Sequence, residues 1–520
     1  MPRRLMDATQ HCPSPECSYF KKYRRPAEYR EGFRQCSTCG AELVAGTPVM
    51  AVAQAPTAAR TWEGMSTDVV YRLAVTLGAM LIAALSLQVM IPGVDPKVLE
   101  AAASFGDAEV MSVFSIQLNP FLASFIIVEL IALAVPPLRT LRTNGPKGRS
   151  ALRKAAWLLG SVFSLIQGLG MATWHESNRD LWTDNSPYLA ADAGLPFAGL
   201  LLVLAAAPLL LHALTVAVDR YGLGSGYAVV LVGLALPTAV EAGMHWARYL
   251  GHAVIAPGTV LLLLLVLGVM TLSLKRLMTG ALPGLGPRTG TPGTPPVPTG
   301  GLIPYFLANW MLGLSALLSA FAEEAMPLER LLDESPMLLN GLFVSLLALF
   351  TGLFSALFFR PRQVGALWAA YTGQDDASRK VIRAQATLRA RELLPAAAAW
   401  SVLFGLVIWF PSRYLSPLLA VQLPSLLGLV MAVVLTLDLT HEVRARGRGT
   451  WTPVWPLRGV ADVEPALTAL GAAGIPAIVR GAMVRNLFHV FGPFFTVDLL
   501  VPPDRVDAAR TVLEEANRRA

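Results

Sequence analysis

Ten stretches of about twenty residues are built almost wholly from apolar side chains, near 69–92, 118–138, 153–174, 194–217, 224–242, 252–273, 302–322, 338–359, 393–411 and 417–438. Roughly 20 apolar residues wound as helix cross the ~30 Å hydrocarbon core of a bilayer. No water is available there to satisfy an irregular backbone, so runs of this length point to spanning helices. The balance of the chain agrees, with 54% hydrophobic and 15% charged residues over 520 positions, too apolar for a soluble protein of that size. The expected fold class is mainly α: a polytopic protein with ten transmembrane helices and membrane lipid as its surroundings.

Lys and Arg set the expected orientation, because positive charge is retained on the cytoplasmic side. Alternate loops divide them seventeen to five: one set holds Arg139, Arg142, Lys147, Arg149, Arg220, Lys275, Arg360, Arg379 and their neighbours, and the other only Lys97, Arg179, Arg248, Arg330 and Arg413. Both termini are therefore expected inside. Residues 1–20 show no continuous apolar stretch of signal-peptide type, so no cleaved leader is expected. The formal net charge of +7 follows from this topology and requires no nucleic-acid partner.

Three pieces are expected along the chain, a head at 1–47, a ten-helix body at 66–440 and a small domain at 453–520, joined by linkers at 48–65 and 441–452. The head carries the only four cysteines, Cys12-x4-Cys17 and Cys36-x2-Cys39. On a reducing cytoplasmic side two such pairs argue for a zinc ribbon, one structural zinc held by four thiolates, rather than for disulfides. Residues 280–301, "GALPGLGPRTGTPGTPPVPTGG", carry too much Pro, Gly and Thr for a regular element and read as a disordered loop. In the last segment β-type stretches at 454–459, 476–480 and 496–501 alternate with helices near 463–473 and after Pro503, the pattern of a small α+β (ferredoxin-like) domain. Its phrases "AAGIPA" and "LLVPPDRVDAARTVLEEA" resemble a small bacterial domain assigned to signal transduction. No phosphate-binding loop or nucleophile motif in a plausible setting is found, and no enzyme activity is expected.

Six phrases of the body follow one another in a recognisable order: "IPGVD" (91–95), "NPFLASFIIVEL" (119–130), "GPKGRSALRKAAWLLGSVFSLIQGLGMA" (145–172), "DRYGLGSGYAVV" (219–230), "GLIPYFLANW" (301–310) and "FRPRQVGALW" (359–368). Together they resemble the SecY family, the pore subunits of the bacterial protein translocase. The resemblance implies a bacterial inner-membrane channel of two pseudo-symmetric halves, passing or inserting polypeptides beside small subunits of the SecE and SecG types. An apolar waist in such a pore dewets when empty and yields to a passing chain. Carried over by phrase, the waist is Leu118, Leu122, Tyr227, Leu231, Phe306 and, in the tenth span, Met431 or Gly428. Glu129 and Asn309 fall at the lateral gate, as a latch and its hydrogen-bond partner. Arg362 falls on the surface that docks the SecA motor or the ribosome.

The chain also departs from the family. The segment 96–117, where an external plug is expected, lacks the Gly-rich phrase, the loop at 280–301 lacks the basic hairpin, and the loop after Gly373 lacks the Pro-Gly-Ile-Arg-Pro-Gly phrase. These losses count against ordinary SecA-driven export and suit a divergent paralogue. They also favour an alternative, a membrane-anchored scaffold or sensor that keeps the body as a frame and recognises partners through its two end domains.

Overall fold

A computed structural model describes residues 10–12, 17–19, 27–29, 33–45, 67–92, 111–143, 145–177, 195–249, 272, 292–319, 335–410, 426–447 and 449–519. The chain forms two compact units, Met1–Gly64 and Met65–Ala520. The first holds three two-residue strands, β1 (Gln10–His11), β2 (Glu28–Tyr29) and β3 (Val44–Ala45). They form an antiparallel sheet in the order β2-β1-β3.

The second unit begins with α1 (Thr67–Ser86), α2 (Asn119–Ala134), α3 (Pro136–Thr143), α4 (Gly145–Ser177), α5 (Phe197–Tyr221) and α6 (Gly226–Tyr249). It continues with α7 (Ile303–Ser319), α8 (Pro336–Phe358), α9 (Pro361–Thr372), α10 (Asp376–Phe410) and α11 (Leu426–Arg446). Proline opens several of these helices, Pro120 in α2, Pro336 in α8 and Pro361 in α9, where its missing N–H is no loss. Nine of the ten apolar runs coincide with these helices, and the run at 252–273 lies outside the described residues except for Leu272. Among the described residues five helices are long and apolar enough to cross a membrane, six when α2 and α3 count as one broken span. Packing follows the sequence for α2 on α4, α4 on α5, α7 on α8 and α9 on α10, while α6 returns to lie against α1 and α11.

The last part holds β4 (Thr452–Pro456), α12 (Val463–Ala472), β5 (Ile478–Arg480), α13 (Ala482–Leu487), a 3-10 stretch at His489–Phe494, β6 (Asp498–Val501) and α14 (Val506–Arg519). The three strands pair antiparallel in the order β4-β6-β5. Val454, Trp455, Leu470, Leu499, Val501 and Leu513 form a core of their own under α12 and α14. The core extends to Tyr371, because α9 packs on both of those helices.

The expectation of a disordered loop at 280–301 is corrected over its described part. Residues 292–301 are ordered, with Val297 and Thr299 buried. Thr299 N donates to Ser401 Oγ at 2.9 Å, and its hydroxyl bonds Ser355. The physical reason is that proline-rich backbone has little freedom to lose, and here its polar groups find partners on α8 and α10.

Candidate polypeptide pore and metal centre

In the head, the ligand atoms of Cys12, Cys17, Cys36 and Cys39 all lie within 4.8 Å of one another. Cys12 Sγ is 3.5 Å from Cys39 Sγ, and Cys17 Sγ is 3.8 Å from Cys36 Sγ. A tetrahedral ion with metal–sulfur bonds near 2.3 Å sets sulfurs roughly 3.8 Å apart, so the quartet fits a metal such as zinc. Gly40, at φ 71°, makes the tight turn after the second pair. Burial raises the Cys36 thiol, but hydrogen bonds from the Tyr29 hydroxyl and the Thr38 and Cys39 backbone outweigh it and bring the group down to about 6. A thiol held towards its thiolate form is ready to ligate.

In the second unit the candidate waist residues come from four helices. Leu118 caps the start of α2 and Leu122 lies one turn in. Tyr227 and Leu231 occupy the first turns of α6, Phe306 the first turn of α7, and Met431 the second turn of α11. All six belong to one apolar cluster, Leu118 and Tyr227 fully buried and the others packed against it. Gly428 lies one turn before Met431 on α11, outside that cluster.

The turn 222–226 positions Tyr227. Gly224 takes φ 71°, and a Cβ at Gly226 would collide with the Thr215 carbonyl oxygen, so α6 can start hard against α5 only with glycine there. The turn is fastened on three sides: Leu223 N donates to Thr76 Oγ1 at 2.8 Å, Gly224 N to Glu442 Oε2 at 2.9 Å and Gly226 N to Asp219 Oδ1 at 2.7 Å. The Tyr227 hydroxyl bonds His212 Nδ1, and that imidazole stacks on Phe121 with centroids 4.5 Å apart. The aromatic ring of Tyr227 thus sits in the apolar cluster with its polar end already satisfied.

Glu129 is buried, and Arg142 Nε donates to its Oε1 at 2.8 Å. Asn309 Nδ2 donates to the Tyr305 carbonyl of its own helix at 3.0 Å. The expected Glu129–Asn309 hydrogen bond is therefore replaced by these two, because the break between α2 and α3 folds Arg142 back onto Glu129. Arg362 is exposed at the start of α9.

Sequence reasoning missed the loop 481–497 between β5 and β6, which carries "FHVFGPFF" at 488–495. Phe494 stacks on Phe125 of α2 at 3.9 Å between centroids and 6° between planes, and Phe495 is 5.6 Å from Tyr227. Four phenylalanines in eight residues, too apolar for a solvated hairpin loop, were the signal that could have found it. Beside the loop a cavity of about 260 Å³ is lined by Glu129, Arg142, Arg149, Arg360, Arg458 and Arg485, among others. Burial lowers Arg485 to about 10, against the pull of the Glu129 charge.

The geometry is that of a multi-pass helical membrane protein with an apolar cluster where α2, α6, α7 and α11 meet. A family model for SecY matches residues 112–440. The chain belongs to the SecY family, whose members are subunits of protein translocation channels. Among known relatives, the protein translocase subunit SecY of Rickettsia typhi is 24% identical over 201 residues, covering 35% of this chain and 46% of that protein. That of Buchnera aphidicola subsp. Schizaphis graminum is 23% identical over 186 residues, covering 32% and 42%. The chain thus spans a little under half the length of these curated relatives. A solved structure described as a protein conducting channel aligns with 78% of this chain and 98% of its own, at 12% identity and a TM-score of 0.46.

Proposed function

We propose that this protein is a SecY-type channel subunit that translocates polypeptides across, or inserts them into, a bacterial inner membrane, as a divergent paralogue with ten spans in two halves and both termini cytoplasmic. The observation that carries this reading is the convergence of Leu118, Leu122, Tyr227, Leu231, Phe306 and Met431, far apart in sequence, in one apolar cluster at the ends of four helices. An apolar ring of this kind suits a seal that blocks ions when empty and deforms around a chain. The channel works as a passive conduit, and the drive comes from outside it.

Glu129, held by Arg142 at the end of α2, is the proposed latch of the lateral gate, with Asn309 on the opposing α7. The cysteine quartet takes a structural zinc that shapes the head into a ribbon for partner recognition. Small membrane subunits of the SecE and SecG types bind the body. Either SecA or the ribosome would approach through the region of Arg362, although α12 and α14 of the chain's own tail cover the neighbouring α9. That cover favours a second reading, a membrane-anchored scaffold or sensor in which the body is a frame. Affinity purification from native membranes separates the two: a SecE-like subunit in stoichiometric amount supports the channel, and its absence from stable preparations contradicts it.

A further inference from the structure

We propose that the loop 481–497 is a tethered gate that closes the inner mouth of the pore, and that an apolar segment of a client polypeptide opens the pore by taking its place. The inference rests on the channel reading above.

The loop is oversized for its connection. Strands β5 and β6 are antiparallel neighbours, with Arg480 opposite Asp498, a pairing that two to five residues can join. Seventeen residues join them instead. The fold of the tail does not use the excess, since Leu487, Phe488, Phe491, Phe494 and Phe495 are absent from its core and belong to the cluster that holds the candidate waist.

The docking is specific. Phe494 lies flat on Phe125, and Phe495 lies between Phe488, 4.6 Å away, and Tyr227. Leu302 N, beside the start of α7, donates to the Leu487 carbonyl at 2.8 Å, and the Asn486 amide bonds the Val297 carbonyl. On the α11 side Asp438 accepts from Met483 N at 3.2 Å and Val484 N at 2.8 Å. A Cβ at Gly492 would meet the Glu129 carboxylate, so the loop backbone lies directly against the proposed latch. The loop therefore bridges α2 and α6 on one side and α7 and α11 on the other, the elements a lateral opening has to part.

Its chemistry is that of the cargo. Residues 481–495 contain no acidic side chain and place five large apolar ones in the groove between those helices, in the cluster of the candidate waist, as an apolar client segment would. Leaving the groove exposes those rings to water unless another apolar segment fills it, so the gate stays shut at rest and yields to competition. The tail keeps its own core in either state, and β5 and β6 act as the tether.

Reconstituted full-length protein in liposomes tests this by ion leakage. A Leu122→Gly/Leu231→Gly variant, whose waist no longer seals, should stay tight because the loop still closes the mouth. Adding Phe491→Ala/Phe494→Ala to it should raise leakage at least tenfold, with hydrogen exchange in β4, β5 and β6 unchanged. A waist variant that leaks as fast as the fourfold variant would overturn the gate and leave the channel standing. If the fourfold variant is also tight, the channel reading fails and the gate with it. In a second measurement, an apolar signal-like peptide should raise hydrogen exchange at 482–495 in the unaltered protein; unchanged exchange at saturating peptide would overturn the displacement.

Discussion

Glu129 and Arg142 show how a single pair decides local structure in this body. The carboxylate is almost fully buried, while the Arg142 side chain keeps 29% exposure, so the arginine can rehydrate if the pair breaks but the glutamate cannot. Glu129→Ala should cost about 1.5–3 kcal/mol, the range for a charged hydrogen bond, read as a lower midpoint of thermal unfolding in detergent. Gly226→Ala should cost about 1–3 kcal/mol, because its methyl has no space beside Thr215. In the head, Cys36→Ser should leave the purified protein without bound zinc by elemental analysis, whereas Ser37→Ala, next to it and outside the quartet, should retain it. The cysteine quartet was legible in the sequence since ligand spacing is local. The partner of Glu129 was not, since it depends on how sharply the chain turns at Pro136.

At the scale of elements, the apolar runs announced their helices, as the strands and helices of the tail did to within a few residues, because both signals are periodic. The order found at 292–301 had no such signal. A Pro/Gly/Thr tract reads as loop whether or not neighbours hold it, and here Ser355, Ser401 and Asn486 supply the partners. The start of α13 depends likewise on another element, as Asp438 on α11 accepts its first N–H groups. Asp438→Ala should weaken that seat by about 1 kcal/mol, as loss of a helix cap does. Amide exchange at Met483 and Val484 should then rise roughly fivefold. Exchange in β6 should stay as it was, since its hydrogen-bonded partners are β4 and β5.

At the scale of the whole molecule, phrases in order gave the family, while the tail's cover over α9 and its contacts with Phe125 and Tyr227 came only from folding, between residues about a hundred or more positions apart. The tail lies where cytosolic partners of the body are expected, so a partner that drives transport has to move it or bind through it. The account stands on the waist being a path for polypeptide. A photo-crosslinking residue placed in turn at Leu122, Leu231 and, as a lipid-side control, Leu202, which is 70% exposed, tests that directly with a stalled translocation intermediate. Crosslinks to the client from positions 122 and 231, and none from 202, are the predicted result; an intermediate that forms on the membrane yet crosslinks from neither waist position would contradict the account.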